Sequence, residues 1–123
     1  PPCLAGPMTT FEDAQRIALA QPGTELVATV FKIEGKVFAA VYPERIDPKK
    51  ARVPNYDVLM VRVADLGDKE AYLKSDPAKF FTTDHYNGYP SVLVRLDQVD
   101  LAELEQLIHE AWMTRAPKDL LDD

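Results

Sequence analysis

The sequence predicts an α+β domain of two layers, in which an antiparallel sheet of about five strands carries helices on one face. Three observations lead to this fold class. The chain has 123 residues, of which 46% are apolar, and this suits one domain with its own core. Apolar residues recur with a helical period near both termini. Between these segments lie β-branched and aromatic runs separated by turn residues, which gives the order α-β-β-β-α-β-β-α.

Each element rests on a local pattern. The predicted elements are a helix over 10–21, strands over 25–33, 36–42 and 56–63, a helix over 66–74, strands over 79–86 and 89–96, and a helix over 100–114. Thr9 and Glu12 have the spacing of a capping box for the first helix. Asp65 and Asp100 precede the other two helices as N-caps.

Two tight turns organise the predicted sheet. Glu34-Gly35 separates the first two strands, and Asn87-Gly88 separates the last two. Asn-Gly favours positive φ at both positions, as a type I′ hairpin turn requires. Pro90 cannot donate to a strand ladder, so its end of the strand is expected at an edge or outside the pairing.

Three features of the sequence bear on the expected cellular location: the N-terminal residues, the cysteine content and the length of the apolar runs. Residues 8–123 are predicted to form the single domain, with residues 1–7 as a disordered tail or a remnant of cloning before Met8. The one cysteine, Cys3, cannot form an internal disulfide, which fits a reducing cytoplasm. The longest strictly apolar run, residues 37–42, is far shorter than the ~20 residues that cross a bilayer. We therefore expect a cytoplasmic protein without a membrane partner.

Charge limits the partners of the whole surface but not of a local patch. Lys and Arg number 14 against 20 Asp and Glu, so the net charge is −6. This argues against a protein that coats a polyanion. The acidity belongs to residues 97–123, because acids and bases balance in the first 96 residues. A basic patch elsewhere remains compatible with the composition.

No catalytic or metal-binding motif stands out. The sequence has two histidines and one cysteine, with no CxxC or HExxH pattern. Its glycines are isolated, so no phosphate-binding loop can be assembled, and neither serine lies in a G-x-S-x-G elbow. We predict no catalytic residue, no metal and no cofactor, and we interpret the chain as a non-catalytic binding module.

The segment from residue 84 to 90 is the most unusual one. His85, Tyr86 and Tyr89 could form a stacking surface for a base or a small ring, and His85 and Tyr86 with Arg95 could surround a cleft for a small ligand. The alternative is a hairpin whose aromatic side chains form cross-strand pairs. The sequence favours this alternative, because turn geometry alone explains Asn-Gly.

A second candidate site is basic. Arg45, Lys49, Lys50 and Arg52 lie within eight residues of one another in the loop before the third strand. They could contact phosphates. Lys32 and Lys36, on the neighbouring hairpin, would extend such a surface. The alternative is a connecting loop that its charges keep solvated.

Several stretches together resemble one family. They are Pro22-Gly23, residues 31–39, the long run 80–96, Glu110-Ala111-Trp112 and residues 115–118. In this order they are similar to the MmcQ/YjbR-like family of small bacterial proteins. The resemblance implies a two-layer α+β fold and DNA binding by paired wing-like hairpins, here those around Glu34-Gly35 and Asn87-Gly88. It implies no catalytic motif.

Three hypotheses about function follow. The first is a module that contacts DNA through Lys32, Lys36, Arg45, Lys49, Lys50 and Arg52. The second is a protein-interaction domain that forms a homodimer through a sheet edge or an apolar surface. The third is a small-ligand binder, or an unrecognised enzyme, built around His85, Tyr86 and Arg95.

Overall fold

The computed structural model describes residues 8–121, apart from the side chains of His85 and Leu121. The predicted tail over residues 1–7, with Cys3, lies outside the described residues. The predicted fold class is confirmed: helices pack on an open antiparallel sheet, which has six strands in the order β1-β2-β3-β4-β6-β5.

The helices and strands have the following bounds. In chain order they are α1 (Phe11–Ala20), β1 (Thr24–Val27), β2 (Val30–Ile33), β3 (Lys36–Glu44), β4 (Val53–Arg62), α2 (Leu66–Ser75), β5 (Phe80–Phe81), β6 (Ser91–Arg95), α3 (Leu101–Arg115) and α4 (Lys118–Leu121), with 3₁₀ turns at Asp84–Tyr86 and Leu96–Gln98. No helix within residues 8–121 has the length and apolar character that spanning a membrane would require.

Two of the three predicted N-caps are confirmed, and the third is wrong by one residue. Asp65 and Asp100 cap α2 and α3 as predicted. The cap of α1 is Thr10 with Asp13 rather than Thr9 with Glu12. Both pairs have the same spacing. The buried Thr9 hydroxyl donates to the Leu96 carbonyl oxygen at 2.6 Å, which ties this side chain to the first residue of the second 3₁₀ turn, while Thr10 caps the helix.

The predicted strand over residues 25–33 is wrong as a single strand. It folds back on itself as the hairpin of β1 and β2, in which Val27 pairs with Val30. Ala28 takes a positive φ of 56° in the turn. Ala-Thr carries no turn signature, so the sequence concealed the extra strand. The observed order is therefore α-β-β-β-β-α-β-β-α-α.

The predicted hairpin over residues 79–86 and 89–96 is confirmed in its antiparallel pairing, in which Phe80 pairs with Val94 and Phe81 with Leu93, but its tight turn is wrong. β5 has only two residues, and the connection 82–90 crosses from it to β6. Asn87 has φ −61°, which excludes a type I′ turn. The buried Lys69 of α2 fixes this connection instead, because its ammonium donates to the backbone oxygens of Tyr86 and Tyr89. A tertiary contact thus overrides the local Asn-Gly preference.

The core lies between the helices and one face of the sheet, here called the inner face. Its largest fully buried side chains are Phe31, Phe38, Ile33, Leu59, Leu96, Leu104 and Ile108. Leu93 is fully buried on the opposite face of the sheet, here called the outer face. Trp112 closes one end, since its indole Nε1 donates to the Pro22 oxygen at 2.9 Å. The helices thus cover the inner face and leave the outer face free of helices.

Candidate nucleic-acid interface

The hairpin of β3 and β4 is longer than the strands beside it. β2 pairs with β3 as far as Val30 and Ala40, and β6 pairs with β4 as far as Arg95 and Val58. Beyond this level only β3 and β4 pair, over residues 42–44 and 53–55. Among the described residues no other strand flanks this part of the hairpin. It forms a two-stranded projection, here called the β3–β4 ribbon (residues 42–55).

A β-bulge lies at the base of the ribbon. Val41 pairs with Leu59, whereas the next residue, Tyr42, pairs with Asn55. Residues 56–58 therefore have no partner on β3. Such insertions bend a strand and increase its twist. The bulge thus marks the point at which the ribbon leaves the sheet.

The tip of the ribbon is basic and internally braced. The Arg45 guanidinium donates to the backbone oxygens of Pro48 and Lys50, at 3.3 and 2.9 Å. The Arg52 guanidinium donates to the Pro43 oxygen at 3.1 Å. These contacts fix the loop conformation, while Lys49 and Lys50 remain exposed. The tip thus combines two anchored arginines with two exposed lysines.

Charge is segregated between the two layers. In the strands β1–β6 with the β1–β4 and β5–β6 loops, here the strand layer, bases outnumber acids. The bases are Lys32, Lys36, Arg45, Lys49, Lys50, Arg52, Arg62 and Arg95, and the acids are Glu25, Glu34, Glu44, Asp47, Asp57 and Asp84. Among the other described residues, in the helices and adjoining loops, acids outnumber bases. The net negative charge of the chain therefore does not describe the ribbon.

The structure does not bring Lys36 together with the ribbon tip. Lys36 begins β3, next to the Glu34-Gly35 turn, whereas Arg45 follows the end of that nine-residue strand. At ~3.3 Å per residue, the two ends lie roughly 25 Å apart. Lys32 pairs with Val37 and lies at the same far end. The four loop bases form one group, and Lys32 and Lys36 form another.

Two residues of the other predicted site, Tyr86 and Arg95, lie on the outer face. Tyr42 contacts the rings of Phe81 and Tyr86, with centroids 6.2 and 6.3 Å away. The Arg95 guanidinium stacks over Phe81 at 4.1 Å and donates to the Pro77 oxygen. Tyr86 and Arg95 therefore pack against the sheet, which occupies much of their surface.

The Tyr86 side chain is partly buried on the outer face. Burial raises the pKa of Tyr86, with a further contribution from Tyr42, while nearby Arg52 opposes the rise. Tyr89 is 61% exposed. The predicted role of the His85 side chain falls outside the described residues.

One apolar row runs across all six strands of the outer face. Strand register aligns Val27, Val30, Ala40, Met60, Leu93 and Phe81 in this order. Leu93 is buried, whereas Val27 is 49% exposed and Val30, Ala40 and Met60 are partly exposed. Sequence reasoning missed this row, because it exists only through the pairing register.

A model of a known protein family matches a segment that includes most of the elements described above. The family model described as YjbR matches residues 17–114, which include the ribbon, the outer face and most of α3. The chain belongs to the YjbR family. The resemblance found in the sequence is thereby confirmed for the fold and the family.

The relatives of this YjbR-family chain are matched over nearly their whole length. An uncharacterized protein of Mycobacterium bovis is 38% identical over 121 residues, covering 93% of this chain and 94% of the relative. Uncharacterized proteins of two Mycobacterium tuberculosis strains are similar to the same extent. No solved structure matches the chain significantly.

Proposed function

We propose that this YjbR-family protein is a non-catalytic module that contacts duplex DNA through the β3–β4 ribbon. One observation carries the proposal: the ribbon extends past its neighbouring strands and holds Arg45, Lys49, Lys50 and Arg52 at its tip. A two-stranded β-ribbon fits the major groove of B-DNA. Bases at its tip can then reach the phosphates that flank the groove.

The net charge of the chain does not oppose this contact. The excess of acids lies in the helices and their loops, behind the inner face. At physiological ionic strength the Debye length is about 8 Å. Charges on the far side of the sheet are therefore largely screened from the ribbon tip. The internal hydrogen bonds of Arg45 and Arg52 support the proposal further, because an ordered loop loses less conformational entropy on binding.

Salt dependence tests this function. Fluorescence anisotropy with a labelled duplex should detect binding at low salt and micromolar protein. If the four tip bases neutralise about four phosphates, the affinity should fall roughly a hundredfold between ~50 and ~200 mM salt. The proposal fails if no binding is detected at low salt, or if the affinity is independent of salt.

Self-association is a second candidate, and the exposed half of the apolar row favours it. Val27, Val30, Ala40 and Met60 lie on the outer face, and Glu25 pairs with Lys32 beside them. In a two-fold face-to-face dimer, Glu25 of one copy could oppose Lys32 of the other, so the borders of the patch are complementary in charge.

Sedimentation velocity tests the dimer. We expect a concentration-dependent dimer that Val30→Asp abolishes, because the buried carboxylate would lack a partner. Val53→Asp, at an exposed position on the ribbon, is the matched control and should leave the dimer intact. A strict monomer at high wild-type concentration would reject this candidate.

A further inference from the structure

A cavity lies between α2, α3 and the C-terminal end of β4, which is the end of that strand opposite the ribbon tip. Its volume is about 250 Å³. Val61, Val63 and Leu107 provide an apolar floor, and Arg62, Tyr72 and Glu110 are among its polar lining residues. For comparison, an engineered apolar cavity of ~150 Å³ holds benzene. The cavity therefore has room for a small organic molecule.

The charges of this cavity have few partners within the protein. Glu110 accepts a long hydrogen bond from the Tyr72 hydroxyl, at 3.5 Å. Within residues 8–121, neither Arg62 nor Asp68 nor Glu110 has an oppositely charged group within 4.0 Å. The Arg62 guanidinium also forms no hydrogen bond with the described residues. One cation and two carboxylates thus line the cavity without ion pairs.

The neighbouring cavity provides a contrast. Tyr72 and Leu107 line both cavities, and the second one also contains Lys79 and Glu103. There the Lys79 ammonium lies 2.8 Å from Glu103 and 3.9 Å from Asp76, so this cation has ion-pair partners. The cation is therefore paired in the second cavity and unpaired in the first.

Arg62 and Tyr72 are partly buried at the first cavity, whereas Asp68 is exposed. Burial lowers the pKa of Arg62, and the nearby Arg115 cation lowers it further. Burial raises the pKa of Tyr72, as do the charges of Glu110 and Asp68. A ligand with complementary charges would compensate Arg62 and Glu110 at the same time.

We propose that this cavity binds a small zwitterion with an apolar body, of the class of free α-amino acids with apolar side chains. The ligand carboxylate contacts Arg62, its ammonium contacts Glu110 and Asp68, and its side chain packs on the apolar floor. This site is independent of the proposed DNA contact, because Arg62 ends β4 whereas the ribbon lies at the beginning of that strand.

Titration by ¹⁵N NMR tests the site with leucine, methionine and phenylalanine as probes. We expect saturable shifts of backbone amides in residues 61–64, in α2 and in the second half of α3. N-acetyl-leucine lacks the ammonium and leucine methyl ester lacks the carboxylate. Each should bind roughly ten- to a hundredfold more weakly than leucine, as expected for the loss of a charge-assisted contact.

Two variants identify the contacts. Arg62→Gln should weaken leucine binding to a similar extent but leave the methyl ester unaffected. Glu110→Gln should weaken leucine binding but leave N-acetyl-leucine unaffected. Glu105, exposed on the same helix, provides the control: Glu105→Gln should leave the binding of leucine and of both derivatives unchanged.

Three results would overturn the proposal. They are the absence of saturable shifts for all three amino acids, leucine binding that neither variant weakens, and equal binding of leucine and its two derivatives. Circular dichroism of both variants confirms that they fold, so each of these results counts against the site itself.

Discussion

Replacement of Phe31 by Ala should lower the free energy of unfolding by about 3–5 kcal/mol. Phe31 is fully buried on β2, and its ring contacts those of Phe11 and Phe38, with centroids 6.2 and 6.5 Å away. It therefore joins α1 to the sheet. Removal of the ring leaves a cavity in the apolar packing between α1 and the β2–β3 hairpin. Urea denaturation followed by circular dichroism measures the loss.

Two further variants keep this prediction testable if the alanine variant fails to fold. Phe31→Leu retains most of the buried volume and should cost less than the alanine change. Ile46→Ala removes a side chain that is 73% exposed and should change stability by less than about 0.5 kcal/mol. Equal effects of Phe31→Ala and Ile46→Ala would contradict the described core.

Replacement of Lys49 and Lys50 by Ala should have the largest effect on DNA binding. Both lysines are exposed at the ribbon tip, so the double variant removes charge without disturbing packing. If each lysine neutralises one phosphate, the slope of log K against log salt should decrease in magnitude by about 1.8. The affinity at low salt should fall roughly tenfold or more. Anisotropy titrations at several salt concentrations measure both quantities.

A matched control separates the ribbon from the net charge. Lys36→Ala with Lys118→Ala removes the same amount of charge from exposed positions at the far end of β3 and in α4. We expect this double variant to change the affinity by less than about twofold, because salt screens the interaction between exposed charges that lie more than about a Debye length apart. Equal losses in the two double variants would show that the binding is general electrostatic attraction.

The sequence predicted features that depend on near neighbours in the chain. Asp65 and Asp100 each have the spacing of an N-cap and act as one. The predicted cap of α1 was wrong by one residue. The Thr9 hydroxyl donates to the distant Leu96 oxygen, and Thr10 caps the helix. Local spacing cannot reveal such a partner.

The errors at the turns have the same origin. Asn87-Gly88 has a strong preference for a tight hairpin, yet Lys69 of α2 holds the 82–90 connection in another conformation. Ala28 carries no turn preference, yet it occupies the β1–β2 turn because Val27 and Val30 pair across it. Both outcomes are set by contacts between elements.

The candidate sites were only partly visible in the sequence. The four bases from Arg45 to Arg52 stood out as a cluster, but their position at the tip of a projection depends on where β2 and β6 end. The α2–α3 cavity combines Arg62, Tyr72 and Glu110 from three separate elements. These residues come together only in the folded chain, so no spacing in the sequence could have identified them.

The most direct test of the ribbon as the DNA-contacting element is a chemical-shift map of the ¹⁵N-labelled protein during titration with a short duplex. Amide shifts should concentrate in residues 42–55 and spread no further than the adjoining part of the outer face around Tyr86. The turns at residues 34–35 and 87–88 should be little affected. Shifts centred on those two turns, with residues 45–52 unchanged, would contradict the proposal and favour the paired-hairpin arrangement instead.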